Sequence, residues 1–287
     1  MARQPLVAKR AEELLGSSVV ATSPVAGGDI ATATRLRLSS GQTALMKTLP
    51  HAPAGFFEAE ATGLRWLAEV EGGLPVPAVL GADSDCVILE WVEQTAKTPV
   101  EAASTFGQHL AATHAAGADG WGLDHDGFIG KLPMPNKPAD SWPEFYAVRR
   151  VLPYLKLARD RDAISETDAA SVEAVVRRLT DLIPDEEPAR LHGDLWNGNC
   201  LWGQDAAVHV IDPAAYGGHR EVDIAMLHLF GLTHLPRVMA AYEEATPLAE
   251  GWTERLGVHQ LFPLLVHACM FGGGYGARAG TVAARFA

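Results

Sequence analysis

The apolar periodicity of this chain changes once, near Glu90-Trp91, and that change limits the available folds more than any other feature. Before it, short period-two stretches alternate with turn signals. They are the β-branched run 19–25, then 34–38 and 43–48 joined by Ser39-Ser40-Gly41-Gln42, then 78–80 and 86–90 joined by Asp83-Ser84-Asp85. A helical period over 56–70 interrupts them, and 6–15 reads as a short helix ahead of them. After Trp91 the period is helical over 104–116, 142–160 and 166–183, and again from Val222 to the end. Ser165 with Asp168 three residues on opens the third of these in the manner of a capping box. A Gly/Pro/Asp-rich loop is expected over 117–140 and a strand–loop–strand block over 191–212. The fold class predicted is α+β and bilobal. Residues 1–91 form a small antiparallel sheet lobe with one helix at its centre, and residues 92–287 form a larger, mainly helical lobe.

Composition narrows the function. The 287 residues are 48% hydrophobic and 20% charged, the balance of a globular protein with ample core. A net charge of −12 argues against nucleic acid or an anionic membrane as partner. The most apolar stretch, 261–275, is broken by His267 and a glycine run, so no membrane span is expected. The N-terminus lacks the apolar core of a signal peptide, which points to a cytoplasmic protein. Cys86, Cys200 and Cys269 are odd in number and far apart, which suits packing residues better than a disulfide framework or a zinc site.

The most informative block runs from Leu191 to Asn199. Gly193 and Gly198 break any regular element there, so Asp194 and Asn199, five residues apart, belong to a loop. The β-branched run 208–211 then ends in Asp212. One such residue would be an ordinary loop Asx turn. The set of three, in this order, offers the oxygen ligands that Mg²⁺ favours and leaves one carboxylate to accept a hydroxyl proton. Phosphoryl transfer needs that division, because its transition state requires mainly positioning and charge neutralisation. Asp194 is assigned as the base that orients the hydroxyl, and Asn199 and Asp212 as metal ligands. His192, beside a glycine, reads as a hydrogen-bonded structural residue.

The first lobe offers a complement. Lys47 shares a strand face with Leu45 and is either a solvated edge residue or one turned into a cleft to hold phosphates. Glu60 shares a helix face with Leu64 and Leu67, whereas Glu58 lies with Thr62 and Arg65. A carboxylate on the buried face needs a cation, so Glu60 is the partner chosen for Lys47. Gly27 and Gly28, between the first two strands, allow backbone N–H groups close to a phosphate, although such a pair is more often a plain hairpin turn.

Glycine turn, strand lysine, helix glutamate, Asp-x-x-x-x-Asn loop and strand-terminal Asp together resemble the protein-kinase-like fold. His-Gly-Asp and Ile-Asp-Pro stand where protein kinases have His-Arg-Asp and Asp-Phe-Gly, as in aminoglycoside phosphotransferases and choline kinases. The segments 191–199 (LHGDLWNGN), 211–226 (IDPAAYGGHREVDIAM), 227–231 (LHLFG), 121–130 (WGLDHDGFIG) and 271–275 (FGGGY) narrow the resemblance to the fructosamine kinase (ketosamine-3-kinase) family. It implies ATP-dependent phosphorylation of a sugar 3-hydroxyl in ketosamines, with ATP and Mg²⁺ required. By the same resemblance Lys47 contacts the ATP phosphates, Glu60 fixes it, and the backbone of Glu90, Trp91 and Val92 binds adenine. Trp196 flanks the acceptor sugar, with a buried core anchor as the equal alternative for such a residue, and Asp223 braces the catalytic loop. Another hydroxylated amine as acceptor, or a nucleotide-binding protein without turnover, stays open, as does the oligomeric state. The family pattern differs at Asn197, usually Ser, and at Met134, often Gln, which leaves open whether the Met134 loop touches the acceptor. Arg149-Arg150 reads as a solvated face, with a substrate carboxylate near the long loop as the alternative, and His219-Arg220-Glu221 as an internal Arg–Glu pair rather than an anion site. His267 and Tyr275 line a helix expected to border the acceptor side of the cleft, with His267 itself read as a core histidine.

Overall fold

A computed structural model describes residues 3–26 and 30–287, with side chains from Leu6 onward. Helix α1 (Arg3–Leu15) precedes β1 (Val19–Val25), β2 (Thr32–Leu38), β3 (Thr43–Thr48), α2 (Phe56–Ala68), β4 (Val79–Ala82) and β5 (Cys86–Glu90). The five strands make one antiparallel sheet in the order β1-β2-β3-β5-β4. Strand alternation decides what each face meets. Ala44, Met46, Cys86 and Ile88 pack with Leu36 and with Ala11 of α1. Leu45, Val87 and Leu89 face the other way, against Phe57, Ala61 and Leu64 of α2. Lys47, two residues past Leu45, shares the α2 side.

Downstream lie α3 (Val100–Ala115), a hairpin of β6 (Gly127–Ile129) and β7 (Leu132–Met134), α4 (Trp142–Phe145), a π-helical turn (Tyr146–Val151) and α5 (Leu152–Asp160). Then come α6 (Glu166–Val176), α7 (Leu179–Leu182), β8 (Ala189–Leu191), a 3₁₀ turn (Asn197–Asn199), β9 (Cys200–Trp202), β10 (Val208–Val210) and β11 (Tyr216–Gly218). Helices α8 (Glu221–Phe230), α9 (Leu235–Ala245), α10 (Trp252–Phe271) and α11 (Tyr275–Ala283) complete the chain. Strands β9 and β10 pair, as do β8 and β11. These two ribbons display the loop after β8 and the turn after β10 side by side. The α+β, protein-kinase-like class holds, and Ser165 caps α6 by accepting from the Asp168 N–H at 3.1 Å.

Four local expectations are corrected. The loop 117–140 contains the β6–β7 hairpin, whose three-residue strands are too short to register a period. The helix read over 142–160 is interrupted by the π turn. Pro153 lacks the N–H that the Arg149 carbonyl would otherwise receive in an α-helix, and Arg150 Nη1 donates to that carbonyl at 3.2 Å instead. The helix read over 166–183 stops at Val176 and resumes only as α7. Strand β11, rich in glycine, gave no strand signal. Leu74 and Val76, although early in the chain, pack with Phe106 and Leu110 of α3 and with Leu195 and Val210.

Candidate active site

Helix α2 brings its buried carboxylate to the centre of the molecule because one side of it is bare. At Gly63, a Cβ would sit 3.3 Å from the Ala215 Cβ and 3.4 Å from the Pro213 side chain. The helix therefore lies against the segment just after β10, one turn from Glu60. Lys47 Nζ donates to both Glu60 oxygens, at 2.7 and 2.8 Å, and to Asp212 Oδ1 at 2.5 Å. Asp212 takes a left-handed backbone (φ 55°), a conformation Asp tolerates better than most residues, and so turns its carboxylate back toward Lys47. Burial by itself would lower the lysine pKa, but Glu60 and Asp212 outweigh it and hold Lys47 above its ordinary value as a cation.

The loop after β8 is held as firmly. Asp223 of α8, buried, accepts from the N–H groups of His192 (2.8 Å) and Gly193 (2.9 Å). His192 Nε2 donates to the Ile211 carbonyl at 3.0 Å, which leaves Nδ1 to accept from the Asp194 N–H at 3.2 Å. His192 is thus a structural tie between the loop and β10. Gly193 has φ 82°, and a Cβ there would fall 1.9 Å from the Ala214 carbonyl oxygen, so no side chain fits. Asn199 Nδ2 donates to the Asp194 carbonyl (2.9 Å) and to Asp194 Oδ2 (3.1 Å). Burial, together with the charges of Asp212 and Asp223, pushes the Asp194 carboxyl up to about 7 against the opposing pull of the Asn199 bond.

Lys47, Glu60, Asp194, Asn199, Asp212, Trp196, Glu90, Trp91 and Val92 all line one cleft of about 1410 Å³ between the sheet and the helices. At the end of β5, the Glu90 N–H is bonded to the Ala78 carbonyl and the Trp91 N–H that follows to that of Thr43. The Val92 N–H has no partner among the described residues. Trp196 lies across Gly198, where a Cβ would strike its ring at 2.4 Å, and meets Phe230 edge-on at 6.1 Å. Gly27 and Gly28 lie outside the described residues, while their neighbours Val25, Ala26, Ile30 and Ala31 line the cleft.

The model of the fructosamine kinase family matches residues 4–286. The chain belongs to the fructosamine kinase family. It is 36% identical to the probable ketoamine kinase of Thermus thermophilus over 253 residues, 88% of each chain. A crystal structure of a candidate fructosamine-3-kinase from Thermobifida fusca superposes with a TM-score of 0.91 at 50% identity, covering 96% of both chains. At the level of fold alone, the macrolide 2′-phosphotransferase type I matches with a TM-score of 0.65 at 18% identity, covering 100% of this chain and 97% of that one. The kinases of this family are phosphotransferases with a hydroxyl acceptor.

Several side chains of this fructosamine kinase family member differ from their sequence-based reading. Arg220 pairs with Glu186 (2.8 Å) and Glu221 with Arg255 (2.6 Å), so the internal pairs are real but not with each other. His267 is half-buried rather than a core residue, on a helix that does border the cleft as expected. Its Nδ1 donates to the Pro263 carbonyl at 2.8 Å and its ring stacks on Phe230 at 4.5 Å, on the wall of the cleft. Arg150 is fully buried, not solvated. The hairpin residues Phe128, Ile129 and Met134 also line the cleft; the first two lie in the segment 121–130 that carries part of the family resemblance, and the Met134 loop was the one whose contact with the acceptor the sequence left open. His219, Glu221 and His259 bring potential ligand atoms within 4.8 Å of one another. Yet Trp142 Nε1 donates to His259 Nε2, the Glu221 N–H donates to His219 Nδ1, and Arg255 covers the carboxylate. One nitrogen of each histidine and the carboxylate are thus already engaged, and the trio forms a packed hydrogen-bond network.

Proposed function

We propose that this chain transfers the γ-phosphoryl group of ATP to the 3-hydroxyl of the sugar in a ketosamine, as a cytoplasmic enzyme acting on a small molecule or a glycated amine. The observation that carries this reading is the Lys47–Glu60–Asp212 triad facing the Asp194–Asn199 loop across one cleft. The family membership and the 50% identity to the Thermobifida fusca protein support the ketosamine as acceptor. Residues 1–91 serve as the nucleotide-binding lobe and 92–287 as the lobe that binds the acceptor.

Each group then has a task. Lys47, fixed by Glu60, binds the donor phosphates. The backbone of Glu90 to Val92 receives adenine, with the unclaimed Val92 N–H as donor, and the turn at Gly27-Gly28 approaches the phosphates. Asn199 and Asp212 fit a Mg²⁺ ion. The Asn199 amide nitrogen is spent on Asp194 and its carbonyl oxygen has no partner among the described residues, while Lys47 claims only Oδ1 of Asp212. When bound, Mg²⁺ neutralises the charge of the phosphates. Asp194 keeps Oδ2 on Asn199, which leaves Oδ1 to take the acceptor proton as the sugar oxygen attacks phosphorus and the bond to ADP breaks. Trp196 offers a ring face to the sugar.

The test is Mg·ATP consumption by purified protein with fructosyl-lysine, ribulosyl-lysine, a free hexose, an aminoglycoside and choline. Turnover confined to the ketosamines is expected, and Asp194→Asn should lower it by about 10²–10⁴-fold, the range for loss of a general base. Turnover only with the aminoglycoside or choline overturns the acceptor. Normal turnover in Asp194→Asn removes Asp194 from catalysis.

A further inference from the structure

Arg150 has no side-chain exposure, and no carboxylate lies within ion-pair distance of it among the described residues. An isolated buried charge is costly unless other groups replace its hydration. Here three aromatic faces do so in part. The guanidinium carbon is 3.9 Å from the ring centre of Tyr216, 4.7 Å from that of Phe145 and 5.5 Å from that of Phe262. Nη1 also reaches the neighbouring Arg149 carbonyl and Nε has no partner among the described residues, but the two shortest bonds go to one place. Nη1 donates to the Pro135 carbonyl and Nη2 to Asn136 Oδ1, both at 2.6 Å. The π turn that carries Arg150 is a conformation seldom kept without a reason.

Asn136 is where these bonds become relevant to the cleft. Its N–H donates to Asp126 Oδ1 (2.8 Å), its carbonyl accepts from the Leu123 N–H (2.9 Å), and its Nδ2 donates to the His125 carbonyl (3.1 Å). With Oδ1 held by Arg150, one buried amide ties together both ends of the β6–β7 hairpin. Tyr154 adds a bond to the Pro133 carbonyl at 2.9 Å. The hairpin meets the rest of the cleft at three places. Phe128 packs on Phe56 of α2 at 5.2 Å. At Gly130 a Cβ would fall 2.6 Å from the end of the Met270 side chain and 3.3 Å from that of Ile30. Ile129 shares a small cavity with Asp194 and His267. The hairpin is therefore a wall beside the carboxylate assigned to the acceptor hydroxyl.

The geometry points to Arg150 as a positioning residue that, through Asn136 and the Pro135 carbonyl, fixes the β6–β7 hairpin as the wall against which the acceptor is seated. The role of this wall as an acceptor wall rests on the ketosamine kinase reading above. The role of Arg150 in holding the hairpin does not.

Two measurements separate these claims. The first compares Arg150→Met, Arg150→Lys and Asn136→Ala with the parent in steady-state kinetics with fructosyl-lysine and Mg·ATP. Arg150→Met should raise the acceptor KM about tenfold, the scale of one lost charge-assisted hydrogen bond, and leave the ATP KM within about twofold. Arg150→Lys, which keeps the charge but loses the fork, should fall between the two. The second measurement is amide hydrogen exchange without any acceptor. Residues 127–136 should lose protection in Arg150→Met while α8 and α10 keep theirs. An acceptor KM that does not move, or one that moves together with the ATP KM and with exchange throughout the helices, overturns the proposal. If Arg150→Met does not fold, Asn136→Ala carries the same readouts, because it cuts the side-chain ties from Arg150 and His125 and leaves the cation on its aromatic faces. If the parent turns over no ketosamine, the ketosamine reading fails, and the exchange arm still decides whether Arg150 holds the hairpin.

Discussion

Lys47 and Arg150 are both buried cations beside the same cleft, and the chain neutralises them by different means. Lys47 meets two carboxylates, one from α2 and one from the turn after β10. Arg150 meets ring faces and carbonyl oxygens from Phe145, Tyr216, Phe262, Pro135 and Asn136. Carboxylates can trade one partner for another as substrate charge arrives, so the corner around Lys47 suits a site that must accept phosphates. Dipoles and ring faces hold a cation without offering it to anything else, so the corner around Arg150 suits a fixed support. The sharpest way to break this comparison is at Lys47. Lys47→Met should lower kcat/KM for ATP by about 10²–10³-fold, the usual cost of losing one group that stabilises developing charge. Arg150→Met should leave the ATP KM close to that of the parent. Initial rates over an ATP titration read both. An unchanged ATP dependence in Lys47→Met, or an equal loss in the two variants, would erase the distinction.

The same contrast explains what could be read in the chain before its structure. The Lys47 corner was legible because charge pairs leave residue types that stand out, and because Glu60 could be told from Glu58 by the face it shares with Leu64 and Leu67. The loop 191–199 was legible for a related reason, since Gly193, Asp194 and Asn199 are each demanded by a specific contact. Arg150 was misread because carbonyl oxygens belong to every residue and its aromatic partners are scattered from 145 to 262. The hairpin was missed because three-residue strands give no period. Strand β5, with its alternation spread over two covered faces, had the same boundaries in both readings. Local pattern therefore recovers elements that repeat and sites that need unusual chemistry. It does not recover supports built from ordinary backbone.

Asp194 sharpens the comparison from the other side, as a half-buried carboxylate without a cation. Its carboxyl is pushed up to about 7, mainly by burial, so in metal-free protein the folded state holds a proton that the unfolded chain has released above about pH 4. The resulting cost is absent below that pH, grows as pH rises toward 7 and is constant above it. Asp194→Asn should therefore stabilise the metal-free protein by about 1–3 kcal/mol at pH 8 and by almost nothing at pH 4. Urea unfolding of both proteins at the two pH values measures this. A destabilised variant at pH 8 would mean that the carboxylate is a structural ligand of the loop and not a strained functional group.

A third way to deal with a buried base is to keep it neutral, and His219 uses it. Burial comes first, and the neighbouring His259, Arg255 and Arg220 add to it against the pull of Glu221, so the His219 pKa lies well below its ordinary value. Its Nδ1 accepts from the Glu221 N–H at 3.2 Å, its Nε2 faces Glu186 at 3.7 Å, and its ring stacks on His259 at 4.9 Å. The unfolded chain takes up a proton at this residue near pH 6.5 and the folded chain does not. Stability from His219 is thus present above about pH 6.5 and is lost as pH falls below it. His192 and His267, also lowered mainly by burial, slope the same way, so the limb belongs to several residues. His219→Asn keeps an acceptor for the Glu221 N–H and removes the titration, and it should flatten part of that limb in unfolding measurements between pH 7 and 5. Parallel curves for parent and variant would mean that His219 does take up a proton in the folded state, with Glu186 as its counter-ion. The network around Trp142 would then hold a charge in the way Lys47 does, by pairing it with a carboxylate.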